Sequence, residues 1–106
     1  MNVRPLLGLL VAVALPLAAA DAWANPDEVL TKAGCMACHA KDKKLVGPSF
    51  KDIAAKYKGQ DVVAKLGEKV RKGGAGVFGP VPMPPHGADK IGDADLKTAV
   101  EAILKS

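Results

Sequence analysis

Both cysteines of this 106-residue chain and one of its two histidines lie within five consecutive positions, Cys35 to His39 in the segment GCMACHA of residues 34–40. Any interpretation of the sequence has to explain why all three side chains stand together.

The first 24 residues have the pattern of a secretory signal peptide. Arg4 precedes an apolar run that reaches about Ala20, and Ala22-Trp23-Ala24 matches an A-x-A cleavage site. The run is shorter than the about 20 apolar residues that span a bilayer. We expect cleavage before Asn25 and export to the periplasm, with a second candidate site after Ala20 and an uncleaved anchor as the alternative.

The predicted mature protein, residues 25–106, is one small domain with few aromatic side chains. They are Phe50, Tyr57 and Phe78, because the sole tryptophan lies in the predicted signal peptide. A core of this size stabilises a fold weakly, and metals, disulfides or other groups often supplement it. The net charge of +4 hints at acidic partners, whereas no motif indicates nucleic acid. We expect a bound group to fill part of the core.

The residue pattern predicts an all-α fold of about four short helices. Asn25 and Ser49 have the positions of N-caps for helices over about 26–33 and from residue 50, and Asp61 and Asp93 are the predicted N-caps of the third and fourth helices. The apolar face of the last helix comprises Leu96, Ala99, Val100, Ile103 and Leu104. Residues 73–92 are rich in Gly and Pro, and an irregular loop this long usually serves a function.

The spacing Cys35-x-x-Cys38-His39 is that of covalent attachment sites for c-type haem. Two thiols about one helical turn apart reach the two vinyl groups on one porphyrin edge, and the adjacent imidazole then binds the iron. Three alternatives use the same residues: a structural disulfide, a thioredoxin-like redox pair, and a zinc site completed by His86. The disulfide closes a very short loop and leaves the histidine unexplained. A thioredoxin-like redox pair is expected near a βαβ unit, and this sequence has no strand pattern. A zinc site would need to take three of its four ligands from five consecutive residues, which is not a familiar zinc-site spacing.

Met83, within the segment PVPMPP, is the predicted second axial ligand. Prolines on both sides restrict its backbone, which suits a thioether that must stay on the iron, whereas Met36 lies between the cysteines and cannot reach the far face. His86 is the competing candidate, although a solvated surface histidine is expected there. With His39 and Met83 both bound, the iron has no open position, which indicates electron transfer and not an enzyme.

Two segments resemble the small bacterial class I cytochromes c of the c-551/c-552 type, also called c8. They are GCMACHAKDKKLVGPSFKDIAAKY, residues 34–57, and KGGAGVFGPVPMPP, residues 72–85. The resemblance implies a small cytochrome c fold wrapped around one covalently bound haem c. It also implies His39 as proximal and Met83 as distal ligand, with the Pro48 carbonyl receiving the other ring N–H of His39 and Gly47 leaving room for that contact.

The chain departs from this family at two positions, Phe78 and Ala102, where family members usually carry tryptophan. A phenylalanine has no donor for a haem propionate, so the propionate must find another partner or stay solvated. Lys69, Arg71 and Lys72 are near in sequence, and Lys69 matches the basic position of the family. We expect Phe78 and Lys69 to belong to the haem pocket.

The implied function is one-electron transfer between a membrane-bound quinol-oxidising complex and a terminal acceptor. Candidate acceptors are a haem nitrite reductase of denitrification, an oxidase or a cytochrome c peroxidase, and the protein is expected to be a monomer. Lysines that are candidates for steering it toward acidic surfaces are Lys41, Lys43, Lys44, Lys51, Lys56, Lys58, Lys65 and Lys72. The alternative is a haem protein with a labile sixth ligand, acting in gas sensing or peroxidase-like chemistry; a haem-free binding module stabilised by a disulfide is a third class.

Cleavage before Asn25 removes the only tryptophan, Trp23. The purified mature protein, after removal of haem, should therefore show no tryptophan emission, and its intact mass should correspond to a chain that begins at Asn25. Emission together with a mass that begins at Asp21 would place cleavage after Ala20. Emission with the full-length mass would contradict the signal peptide.

Overall fold

The computed structural model describes residues 8–14 and 25–106. Residues 8–14 are exposed and adopt neither helix nor strand. The predicted cleavage sites after Ala20 and Ala24 lie outside the described residues. Within the two described ranges, no helix is both long and apolar enough to cross a bilayer.

Four α-helices and one short 3-10 helix make up the domain. They are α1 (Pro26–Lys32), the 3-10 helix (Cys35–Ala37), α2 (Phe50–Lys56), α3 (Val63–Lys72) and α4 (Asp93–Leu104). Residues 25–106 contain no β-strand; a single antiparallel bridge pairs Gly74 with Met83. The prediction of an all-α fold with about four short helices is confirmed.

Two of the four predicted N-caps are correct. The Asn25 side chain accepts a hydrogen bond from the Asp27 amide at 3.0 Å at the start of α1. At the start of α2, the Ser49 hydroxyl accepts one from the Asp52 amide, also at 3.0 Å. Each of these bonds satisfies a backbone donor that the first helical turn leaves without an intrahelical partner.

The predicted caps Asp61 and Asp93 are wrong, because the flanking position falls one residue away in each case. Val62 is the N-cap of α3 and makes no side-chain cap bond; its own side chain is 8% exposed, so burial and not capping determines where α3 begins. Gly92 is the N-cap of α4. Asp93 is the first residue of that helix, and its carboxylate pairs with Arg71 at 2.6 Å.

Helix α4 is the centre of the fold, since α1, α2 and α3 each pack against it, whereas α2 and α3 do not contact each other within the described domain. The core between α1, α2 and α4 comprises Val29, Leu30, Ala33, Phe50, Ile91, Leu96, Ala99 and Val100. Several apolar side chains next to this core remain only partly buried, namely Ile53, Val63, Leu66, Val70, Ile103 and Leu104. The arrangement leaves α2 and α3 facing each other across a cleft.

Leu96 contributes one of the buried side chains by which α4 joins the core, and it is 7% exposed. Replacing it in the holoprotein, Leu96→Ala, should lower the free energy of unfolding by about 3 kcal/mol, because the apolar contacts are lost and a cavity remains. Guanidinium unfolding checks this. The exposed neighbour Lys97 serves as control, and Lys97→Ala should change stability by less than about 0.5 kcal/mol. Equal effects of the two substitutions would contradict the assigned core.

Candidate functional site

The cleft between α2 and α3 has a volume of about 800 Å³ and is floored by α4 through Val100 and Ile103. Apolar walls come from Ile53, Leu66 and Val70. The eight residues predicted for the site all line it: Cys35, Cys38, His39, Gly47, Pro48, Lys69, Phe78 and Met83. Positions up to 48 residues apart in sequence are thus brought to one cavity.

The His39 ring is held from three sides. Its Nδ1 lies 2.7 Å from the Pro48 carbonyl oxygen, its plane stacks on Phe50 with ring centroids 5.5 Å apart, and Gly47 lies against its edge. A Cβ added to Gly47 would lie 2.6 Å from His39 Cε1 and 3.0 Å from Nδ1. Only glycine permits this approach of backbone to ring without displacement.

The hydrogen bond to Pro48 assigns the tautomer of His39. A carbonyl oxygen only accepts, so Nδ1 carries a proton, and in the neutral ring Nε2 keeps a free lone pair, the form in which imidazole binds a metal. The Gly47 amide donates to the Cys38 carbonyl at 2.8 Å. This bond ties the loop that carries the acceptor to the motif that carries the histidine.

The two thiols occupy the 3-10 helix and the residue after it. Cys35 and Cys38 are both half-buried and are not joined by a disulfide. Burial raises the pKa of the Cys35 thiol, and the nearby Cys38 raises it further. A backbone hydrogen bond partly opposes this increase. Within the described ranges, no three His, Cys, Asp or Glu side chains form a group that would hold a metal ion.

Met83 is held at the cleft by backbone pairing with Gly74, two residues after α3. The Gly74 amide donates to the Met83 carbonyl at 3.0 Å, and the Met83 amide donates to the Gly74 carbonyl at 2.9 Å. Gly73, with φ of +69°, packs so closely that a Cβ there would overlap the Met83 carbonyl oxygen. Gly73 is therefore required for this close approach, and Gly74, with φ of +123°, adopts a backbone conformation that favours glycine.

His86, the competing ligand candidate, does not line the cleft. His86 is partly exposed, and its Nδ1 lies 2.9 Å from the Pro84 carbonyl oxygen in an exposed contact. The His86 amide donates to the Val70 carbonyl at 2.9 Å. The chain at this point is tied to the end of α3, on which Val70 lies.

Arg71, which the sequence suggested as a donor to a haem propionate, does not line the cleft. Its guanidinium instead binds backbone carbonyls and a carboxylate outside the cleft. Its Nη1 donates to the carbonyls of His86 and Ile91 at 3.2 and 2.6 Å, and its Nη2 pairs with Asp93. Lys69 and Lys72 do line the cleft, and Lys72 forms an ion pair with Glu68 one helical turn before it. The hydrogen bond that Lys72 donates to Glu68 lowers the pKa of this exposed carboxylate.

Three contacts at the site were missed from sequence. Phe50 stacks on His39, Arg71 binds the loop carbonyls, and Lys56 Nζ lies over the Phe78 ring at 5.5 Å from its centroid. The last contact is a cation–π interaction between α2 and the glycine-rich loop. No sequence signal identifies these pairs, because each joins side chains from separate elements.

The residues of the cleft fit a covalently attached haem. The volume is within the range of about 300–1,000 Å³ for cofactor sites, and the walls are largely apolar with a few polar groups. Two thiols, a correctly protonated imidazole and a thioether sulfur, from Cys35, Cys38, His39 and Met83, all lie at this one cavity. These are the side chains that bind c-type haem.

Residues 25–105 match the family model described as "Cytochrome c". The chain is 50% identical to cytochrome c2 of Rubrivivax gelatinosus over 84 residues, which cover 78% of this chain and 99% of the relative. It is 46% identical to cytochrome c-551 of Pseudomonas aeruginosa over 90 residues, 83% of this chain and 84% of the relative. The fold is similar to the crystal structure of Nitrosomonas europaea cytochrome c552, with a TM-score of 0.68, 41% identity, and coverage of 74% of this chain and 96% of that chain.

The close approach of Gly47 to His39 leads to a stability prediction. Gly47→Ala should lower the free energy of unfolding of the holoprotein by about 1–3 kcal/mol, because the added methyl group overlaps the imidazole and must displace it from Pro48. Guanidinium unfolding followed in the visible absorption of the haem measures the change.

Gly67→Ala is the matched control, since a Cβ at Gly67 in α3 would make an ordinary 3.7 Å contact with Leu96. This substitution should instead raise stability by about 0.5–1 kcal/mol, because glycine disfavours a helix interior. If Gly47→Ala also raised stability, Gly47 would not be packed against His39 in the holoprotein.

Proposed function

The chain belongs to the cytochrome c family and carries one covalently bound haem c, and from this premise we propose that it is a periplasmic electron carrier with His/Met axial ligation. In this proposal Cys35 and Cys38 form the thioether links, and His39 and Met83 bind the iron. When bound, the haem supplies an iron centre that accepts and releases one electron between its ferric and ferrous states. The shared location of these four side chains at one cleft is the observation that supports it.

His39 would hold the iron through Nε2. Its Nδ1–H donates to Pro48 at 2.7 Å, which fixes the tautomer, resists rotation of the ring and increases the basicity of the other nitrogen. Stacking on Phe50, which is 2% exposed, restricts tilt of the ring. A ligand held this firmly changes position little between the two oxidation states, and small rearrangement favours fast electron transfer.

Met83 would supply the second protein ligand of the iron through its thioether sulfur. Proline on both sides limits its backbone, and two hydrogen bonds to Gly74 hold it beside α3. Catalytic metal sites keep a position open for substrate. A chain that fills both positions with its own side chains is suited to passing electrons, and Met ligation raises the potential relative to a second histidine.

Apolar residues around the mouth of the cleft form the proposed contact surface for redox partners. They are 40–59% exposed and comprise Leu45, Val46, Val77, Phe78 and Val81. Among the charged side chains that line the cleft, Lys44, Lys65, Lys69 and Lys72 outnumber Asp52 and Glu68. Such a surface favours partners with an acidic rim, since charge complementarity accelerates association.

The electron donor in this proposal is a membrane-bound quinol-oxidising complex. The acceptor is a nitrite reductase, a terminal oxidase or a peroxidase. Export by the signal peptide over residues 1–24 places the domain of residues 25–106 in the periplasm, where it shuttles between them as a monomer. The two thiols are then used for haem attachment, so no disulfide is required in that oxidising compartment.

The ligand role of Met83 is tested by two matched substitutions. Met83→Leu in the holoprotein should abolish the ferric near-infrared band that methionine ligation produces, and the ferrous form should bind carbon monoxide. Met36→Leu changes the only other methionine of residues 25–106 and should leave the band and the resistance to carbon monoxide unchanged. Leucine conserves volume but has no donor atom, so packing is little altered.

Retention of the methionine band in Met83→Leu would contradict the proposal. Loss of the band in Met36→Leu but not in Met83→Leu would move the ligand to Met36. A carbon monoxide complex in the unsubstituted protein would favour the alternative function, a haem protein with a labile sixth ligand.

A further inference from the structure

We propose that Arg71 is a positioning residue for Met83: it clamps the far end of the Met83 loop to α3 and thereby slows dissociation of the thioether from the iron. The inference rests on the proposed ligand role of Met83. Arg71 itself does not line the cleft, so its effect is transmitted through the backbone of the loop.

The Met83 loop, residues 73–92, is held by hydrogen bonds more than by packing. Residues 74–82 are all exposed, and so are Pro84, Pro85 and residues 87–90. Met83 and His86 are half-buried, and Ile91 is the first loop residue after Met83 to reach the core. Segments with few buried apolar contacts open locally at lower cost than the whole domain unfolds. The hydrogen bonds at the two ends of this loop therefore determine how often it opens.

The near end of the loop is held by the segment directly after α3, and the far end by α3 itself. At the near end, Gly74, two residues after α3, forms two backbone hydrogen bonds with Met83. At the far end, the His86 amide donates to the Val70 carbonyl at 2.9 Å. Arg71 Nη1 then donates to the carbonyls of His86 at 3.2 Å and Ile91 at 2.6 Å.

The Arg71 guanidinium also spans from the loop to α4. Its Nη2 binds Asp93 Oδ1 at 2.6 Å, and its side chain is 22% exposed whereas that of Asp93 is 97% exposed. A planar guanidinium offers several donors in fixed directions, and an ammonium cannot reproduce that geometry. Charge-assisted bonds from a largely covered cation to two carbonyls are stronger than neutral ones. One side chain thus connects α3, the Met83 loop and the start of α4.

Exogenous imidazole reports on this clamp, because it binds ferric iron only when the sixth ligand dissociates. In the holoprotein, Arg71→Gln should increase the rate of imidazole binding about tenfold, which corresponds to about 1.4 kcal/mol. Arg71→Lys, which retains charge and one donor group, should lie between Arg71→Gln and the unsubstituted protein. This conservative variant keeps the test decisive if the glutamine variant folds poorly.

Two controls separate positioning from other effects. Lys97→Gln removes the same charge from α4, where the exposed Lys97 lies near Glu101 and does not line the cleft, and it should leave the imidazole rate unchanged. Leu30→Ala truncates a core side chain of α1 that is 2% exposed and does not line the cleft; it lowers global stability and should also leave the rate within about twofold. A purely structural role of Arg71 would make the rate follow global stability across all four variants.

The two proposals fail in distinguishable ways. If the ferric protein lacks the near-infrared methionine band before any substitution, the ligand role of Met83 is wrong and the clamp with it. If the band is present but imidazole binds Arg71→Gln no faster than Lys97→Gln, Met83 remains the ligand and the clamp is overturned.

Discussion

The separation of α2 from α3 is the constraint on which the rest of the structure depends. Both helices pack on α4, yet they do not contact each other within the described domain, and apolar side chains of Ile53, Leu66 and Val70 face the cleft between them. A domain this small has little other core to bury. The haem c of this family therefore contributes to the fold as well as to function, and folding and haem attachment are expected to be coupled.

The two sides of the site are stabilised by different physical means. Pro48, Phe50 and Gly47 hold the His39 ring by a hydrogen bond, a stacked ring and a close backbone contact. Met83 belongs to a largely exposed loop. Its position depends on backbone pairing with Gly74 and, at the far end of the loop, on hydrogen bonds from α3 to His86 and Ile91. In the proposed ligation, the His39 side is consequently the more firmly held, and any loss of ligation should begin at Met83.

Local signals in the sequence predicted much of this arrangement. The spacing of Cys35, Cys38 and His39 depends on consecutive residues, as does the cap at Ser49, so neither needs knowledge of the tertiary fold. Asp61 and Asp93 failed as caps because the burial of Val62 and the pairing with Arg71 are tertiary effects. Three contacts join side chains or backbone of separate elements: Phe50 on His39, Lys56 over Phe78, and Arg71 with the loop carbonyls. No local sequence pattern predicts such contacts.

The optical spectrum of the purified unsubstituted protein, oxidised and reduced and then with carbon monoxide added to the reduced form, tests the central claim most directly. A low-spin c-type spectrum with a ferric near-infrared methionine band and no shift on addition of carbon monoxide is predicted for iron bound by His39 and Met83. A high-spin spectrum, or ready binding of carbon monoxide, would show an available iron position and contradict the electron-carrier function.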